Sequence, residues 1–154
     1  MSDNLPTGGC QCGAVRFRAD RFENPSICHC RMCQKAFGGF YAPLTKAIGL
    51  VWTRGEPNYF DSSNKVKRGF CGECGTPLTY DYGDGQEVAI GALDTPEIAA
   101  PLIQVNLTDK LSFVDNLHTL PIRVLADDGE EIAFMASIES DQHPDHDTET
   151  WPNI

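Results

Sequence analysis

The chain is short of positive charge, of long apolar runs and of an even set of cysteines. Twelve Lys and Arg stand against 22 Asp and Glu, a formal charge of −10. They nowhere cluster into the positive footprint that nucleic acid requires, so nucleic-acid partners are excluded. No apolar run approaches the length of a membrane span, which argues against a membrane partner. The opening residues Met1-Ser2-Asp3-Asn4-Leu5-Pro6 lack a basic region followed by an apolar one, so a cytoplasmic location is expected. Internal repeats are absent as well. The seven cysteines cannot all pair, and a cytoplasmic setting disfavours disulfides, which leaves metal binding as the better reading.

What is present fits one domain. The 154 residues, 41% of them hydrophobic, suffice for a modest core. Charge divides the chain: residues 127–154 hold nine acidic side chains and no Lys or Arg, while the remaining 13 acids and 12 bases of residues 1–126 nearly balance. We expect a domain over 1–126 and an acidic, partly disordered extension over 127–154, with His143 and His146 in solvent.

Short apolar and branched runs at 14–18, 40–44, 49–52, 76–80 and 87–93, separated by Gly-, Pro-, Asn- and Asp-rich turns, predict strands. The expected fold is mainly β, a small zinc-stabilised sheet domain of short antiparallel strands with few helical turns. Helical signals are confined to Met32–Phe37, closed by Gly38-Gly39, and to Thr95–Ala100, where Thr95 precedes Pro96. Residues 122–126 and 131–138 read as late strands.

The cysteines fall into three groups: Cys10-x-Cys12, Cys28-x-Cys30-x-x-Cys33 and Cys71-x-x-Cys74. Each has the spacing of a metal knuckle, in which a tight turn converges two sulfurs on one ion. Structural zinc takes four ligands, so seven divide most naturally as four plus three. The two pairs would close a site from Cys10, Cys12, Cys71 and Cys74, clamping the N-terminal segment to a knuckle some 60 residues later. The middle group would offer three thiolates and an open fourth position, as catalytic sites do. His29 is flanked by two of these cysteines and is expected to point away from the ion. A purely structural role for both ions is the competing reading. A redox Cys-x-x-Cys lacks its βαβ setting and explains one group of the three.

These residues resemble a known family, the glutathione-dependent formaldehyde-activating enzyme and centromere protein V family. The resemblance is carried by Gly8-Gly9-Cys10-Gln11-Cys12-Gly13-Ala14-Val15-Arg16-Phe17, by Cys28-His29-Cys30-Arg31-Met32-Cys33-Gln34-Lys35 with Gly38, and by Arg68-Gly69-Phe70-Cys71-Gly72-Glu73-Cys74-Gly75-Thr76-Pro77-Leu78. It extends roughly over residues 5–122. It implies a mostly β fold with two zinc ions, a structural one on Cys10, Cys12, Cys71 and Cys74 and a catalytic one on Cys28, Cys30 and Cys33. It also implies a carbon–sulfur lyase that condenses glutathione with formaldehyde to S-hydroxymethylglutathione. A non-catalytic zinc-stabilised scaffold is the alternative.

Glutathione carries two carboxylates, for which Arg31, Lys35 and Arg68 are the candidate partners, each of them weighed against an ordinary solvated charge. Phe37, Phe40, Tyr41 and Phe70 are candidate pocket walls. Two positions depart from the family pattern as we read it: Gln104 stands where many members carry His, and Phe113 where many carry Trp. Gln104 cannot serve as a general base at neutral pH. His118 is expected to be an exposed loop residue.

Overall fold

The computed structural model describes residues 5–125 and 129–150. In chain order its elements are β1 (Thr7–Gly9), β2 (Arg16–Arg18), β3 (Arg21–Cys28), α1 (Arg31–Phe37), β4 (Ala42–Ile48), β5 (Val51–Arg54), β6 (Asn58–Asp61), β7 (Lys67–Phe70), β8 (Pro77–Asp81), β9 (Gln86–Ala89), β10 (Ile103–Val105) and α2 (Glu130–Ala136). One sheet runs β1-β2-β5 and the other β10-β3-β4-β9-β8-β7-β6. The mainly β expectation holds. Its antiparallel part needs one amendment, because β10 pairs with β3 in parallel, Gln104 opposite Ile27.

Alternation explains which side chains turn inward. Leu78 of β8 and Val88 of β9 are buried with Phe17 of β2, and Ala42 and Leu44 of β4 are buried two positions apart in a second cluster, as period-2 strands require. Cys10, Cys12 and Cys71 belong to that same core cluster, while Cys28, Cys33, Ala42 and Leu44 form a smaller one. Both cysteine groups are thus rooted in the packed interior, with Cys74 of the first exposed and Cys30 of the second half-buried.

Strands β1, β3, β6, β7 and β10 lie outside the runs read as strands, and two of them show why. β3 contains Asn24-Pro25, which reads as a turn; instead Asn24 takes a positive φ of 51° and the register shifts between Glu23 and Ser26. This bulge lets a turn-like dipeptide sit inside a strand. β6 is exposed along its whole length, so it has no alternation to detect.

The late strands are corrected. Residues 130–136 form α2, consistent with Glu, Ala and Met being better helix formers than strand formers and with Glu130 and Glu131 in the first turn. Residues 122–125 have no regular structure, and Ala126 lies outside the described residues. Pro96–Ala99 is a 3-10 turn to which Thr95 adds no side-chain cap. His143 is also corrected: it is 4% exposed, not solvated. No helix among the described residues is long and apolar enough to cross a membrane.

Candidate metal centres

The first centre joins two knuckles across the core. The ligand atoms of Cys10, Cys12, Cys71 and Cys74 all lie within 4.8 Å of one another. Two of the separations are 3.6 Å (Cys10 to Cys12) and 3.9 Å (Cys12 to Cys71). Four sulfurs about 2.3 Å from a tetrahedral zinc sit about 3.8 Å apart, whereas a disulfide would bring two to about 2 Å. The donors therefore suit a four-thiolate metal. Thr76 links the knuckles, its hydroxyl accepting from the Gln11 N–H at 3.0 Å and lying 3.1 Å from the Cys74 sulfur.

The thiols of this centre do not behave alike. Burial pushes Cys12 up to about 12, with neighbouring Cys10 and Cys74 adding to the rise. Burial also opposes ionisation of Cys74, but hydrogen bonds from the Thr76 hydroxyl and backbone outweigh it and bring that thiol down to about 6. Sulfurs this close cannot all ionise without a cation between them.

The second centre is built where β3 hands over to α1. Cys28 ends the strand, Cys30 caps the helix by accepting from the Cys33 N–H at 3.4 Å, and Cys33 lies in the first turn. Gly38 closes the helix in the left-handed region at φ 60°, which fixes the helix length. The three sulfurs lie within 4.8 Å of one another, and among the described residues no fourth His, Cys, Asp or Glu joins them. Cys28 and Cys33 are buried and Cys30 is half-buried, so this set is reached from the Cys30 side.

The surroundings supply donors to sulfur. Asn106, itself in the left-handed region, donates from Nδ2 to Cys28 at 3.1 Å, and Arg68 donates from Nη2 to Cys33 at 3.3 Å. Burial raises the Cys28 thiol, but Asn106 and the backbone N–H of Cys30 bring it below its ordinary value. At Cys33 burial prevails over Arg68 and holds the thiol at about 12. Again one thiol of a crowded set is favoured at a neighbour's expense, as expected of a group that needs a cation.

His29 is fully buried and takes no part in the cluster. Its Nε2 lies 3.0 Å from Gln104 Oε1, which also accepts from Lys110 Nζ at 3.0 Å. An ammonium only donates, so the amide oxygen faces it and His29 Nε2 carries its proton. Gln34, buried on α1, donates to the carbonyls of His29 and Asp109 and ties the knuckle to the loop after β10.

The candidate substrate cations separate. Arg31 and Lys35 are exposed on α1, with the Arg31 side chain on Gln34. Arg68 is 3% exposed and is no surface charge. Phe37 and Phe70 line a cavity of about 230 Å³ with Ala36, Phe60, Arg68 and Pro77. Phe40 packs edge-on to Phe113 and Tyr41 edge-on to His29, so neither of these lines it. His118 is exposed, as expected. Sequence reasoning missed Asn106 and Gln34. The only signal at Asn106 was its residue type, tolerant of positive φ.

Residues 5–109 match the model of a family described as glutathione-dependent formaldehyde-activating enzyme. The fold is similar to the crystal structure of a Rhodobacter sphaeroides protein, with a TM-score of 0.51 and 20% identity over 64% of this chain and 99% of that one.

Proposed function

Because the chain belongs to the glutathione-dependent formaldehyde-activating enzyme family, we propose that it is a zinc-dependent carbon–sulfur lyase acting on a thiol such as glutathione and an aldehyde such as formaldehyde. The observation that carries this reading is the second centre: three converged sulfurs, one of them half-buried, with no fourth His, Cys, Asp or Glu joining them among the described residues. We assign Cys28, Cys30 and Cys33 to the reacting centre and Cys10, Cys12, Cys71 and Cys74 to a structural zinc, both within a domain of residues 1–126 that bears an acidic extension over 127–154.

In the reaction the thiol sulfur bonds to the aldehyde carbon, the S–H and C=O π bonds break, and the thiol proton ends on the former carbonyl oxygen. No electrons are gained or lost overall. A zinc ion bound there would supply positive charge that favours the ionised thiol or polarises the carbonyl. The chain's own residues do the rest. Asn106 and Arg68 hold two of the sulfurs by donated hydrogen bonds. We assign Arg31 and Lys35 to the carboxylates of the thiol substrate, a reading supported by their exposure on the helix that carries Cys33. A cavity beside that helix, walled by Phe37, Phe60 and Phe70, also takes in Arg68.

The test is titration of the zinc-loaded protein with glutathione, followed by X-ray absorption at the zinc edge and by calorimetry. An added sulfur in the average zinc shell and a binding heat are expected. If neither appears, the glutathione reading is wrong and a scaffold role takes its place.

A further inference from the structure

Arg68 is placed where a cation is hard to explain by packing alone. It is 3% exposed, and among the described residues it has no carboxylate partner. Strand alternation drives it inward: Lys67 before it is exposed, and Arg68 lies opposite Tyr80 of β8 and Phe60 of β6. Its Nε donates to Ser62 Oγ at 2.9 Å, its Cζ lies 4.9 Å from the centroid of the Tyr80 ring, and its Nη2 donates to Cys33 Sγ. A buried guanidinium without an anion is strongly unfavourable, and a hydroxyl plus a ring face do not replace a full counter-charge. The sulfur it touches would face it as an anion once a metal is bound.

A second observation points to a missing occupant. Among the described residues, the buried side-chain nitrogens and oxygens without a hydrogen-bond partner are Arg68 Nη1 and His29 Nδ1. Arg68 touches Cys33, so its unpaired guanidinium nitrogen belongs to this centre, whereas the His29 ring turns to Gln104 and joins no sulfur. Native interiors leave few such groups unpaired, so a buried guanidinium with a free donor here marks a place built for something polar.

We propose that Arg68 is the counter-charge of the three-cysteine centre, a positioning residue that fixes the Cys33 sulfur through its donated hydrogen bond and, once a metal is held there, eases entry of an anionic thiol at the open position. The inference rests on the reading that this centre binds a metal and a thiol. Three thiolates around a divalent cation leave one net negative charge, which by itself would weaken attraction for a further anion. The guanidinium cancels that charge from the protein side. Its unpaired Nη1 keeps a donor in reserve beside the cluster, on the same carbon as the Nη2 that holds the sulfur. A lysine could restore charge but not the planar fork.

The experiment uses the full chain loaded with Co(II) in place of zinc, because sulfur-to-cobalt absorption reports each thiolate centre directly. A Cys30→Ser variant provides the spectrum of the four-cysteine centre alone. Arg68→Met, of similar length and uncharged, is expected to keep that spectrum, to retain the second Co(II) about 10–100-fold less tightly against a chelator, and to lose the glutathione-induced spectral change. Wild-type retention and an unchanged glutathione titration in Arg68→Met would overturn the proposal.

Should Arg68→Met fail to fold, Arg68→Lys decides. A cobalt spectrum with both centres and a glutathione midpoint raised about tenfold supports the proposal, and an unchanged midpoint overturns it. If the wild-type chain takes up one Co(II) only, or takes up two and ignores glutathione, the functional reading itself fails and this inference falls with it.

Discussion

Cys30 and Cys71 show how differently single cysteines can matter in one chain. Cys30 is half-buried at the cap of a seven-residue helix, whereas Cys71 is fully buried in the main core cluster. Cys30→Ser is therefore expected to lose one metal per chain and keep its fold, read by metal analysis and circular dichroism. Cys71→Ser should lose both ordered structure and metal, since its ligation is coupled to folding. Away from the sulfurs, Arg16 is 3% exposed and pairs with Asp94 at the junction of β1 and β2. Burial opposes the charge on Asp94, but Arg16 and the Thr7 hydroxyl hold its carboxyl below the usual carboxylate range. A depressed folded value gives stability that is fully present above the unfolded pKa and is lost as pH falls through the folded one. Asp94→Asn should thus cost about 3 kcal/mol at neutral pH, and the gap to wild type should narrow below about pH 4 in urea titrations.

At the scale of elements, the segment after α2 returns to the N-terminal knuckle. The His143 N–H donates to the Gln11 carbonyl at 2.7 Å, Arg16 reaches Asp147, and Arg54 of β5 reaches Thr148. The His143 ring donates from Nδ1 to the Pro144 carbonyl at 2.8 Å, so its Nε2 accepts from Arg54 Nη1 at 3.4 Å, with the Thr148 oxygen 2.9 Å away. Burial lowers the His143 pKa, and the cations Arg16 and Arg54 lower it further, against the opposite pull of the Pro144 carbonyl and Asp94. The docked ring is thus neutral, and its contribution is full above the ordinary histidine value and weakens as pH falls below about 6.5. Protection of the His143 amide, its exchange compared with the unfolded chain at the same pH, should fall over that range. Gly13 admits this ring: at φ 79°, a β-carbon there would lie 2.2 Å from His143 Cδ2. Gly13→Ala should release the segment at every pH, seen as faster exchange or proteolysis between residues 140 and 150. The sequence alone could not show this contact, because a run rich in Asp, Pro and Thr looks solvated whether or not one histidine within it finds a pocket.

Taken whole, the molecule is two sheets with a four-sulfur centre in the larger core cluster and a three-sulfur centre in the smaller one. Removal of metal by a strong chelator should therefore act in two stages. The three-cysteine centre, with one protein ligand fewer, should empty first with little change in circular dichroism, and the four-cysteine centre later, with loss of ordered structure. A single stage reporting both would contradict the division. The grouping of seven cysteines into four and three was legible in the chain, because ligand spacing within a knuckle is local and zinc fixes the number to be gathered. The helix after Cys30 was legible for the same reason, with its stop at Gly38. The strand containing Asn24-Pro25, the parallel pairing of β10 and the helix over 130–136 were not, since each depends on partners or on competing propensities that a local reading cannot weigh. The sequence by itself determined which sulfurs belong together and that strands would carry them. Only the tertiary structure decided what surrounds them: Arg68 buried against Cys33, Asn106 on Cys28 and His29 turned to Gln104. Those contacts join residues 35 to 78 positions apart in the chain, and burial at that distance is set by packing alone.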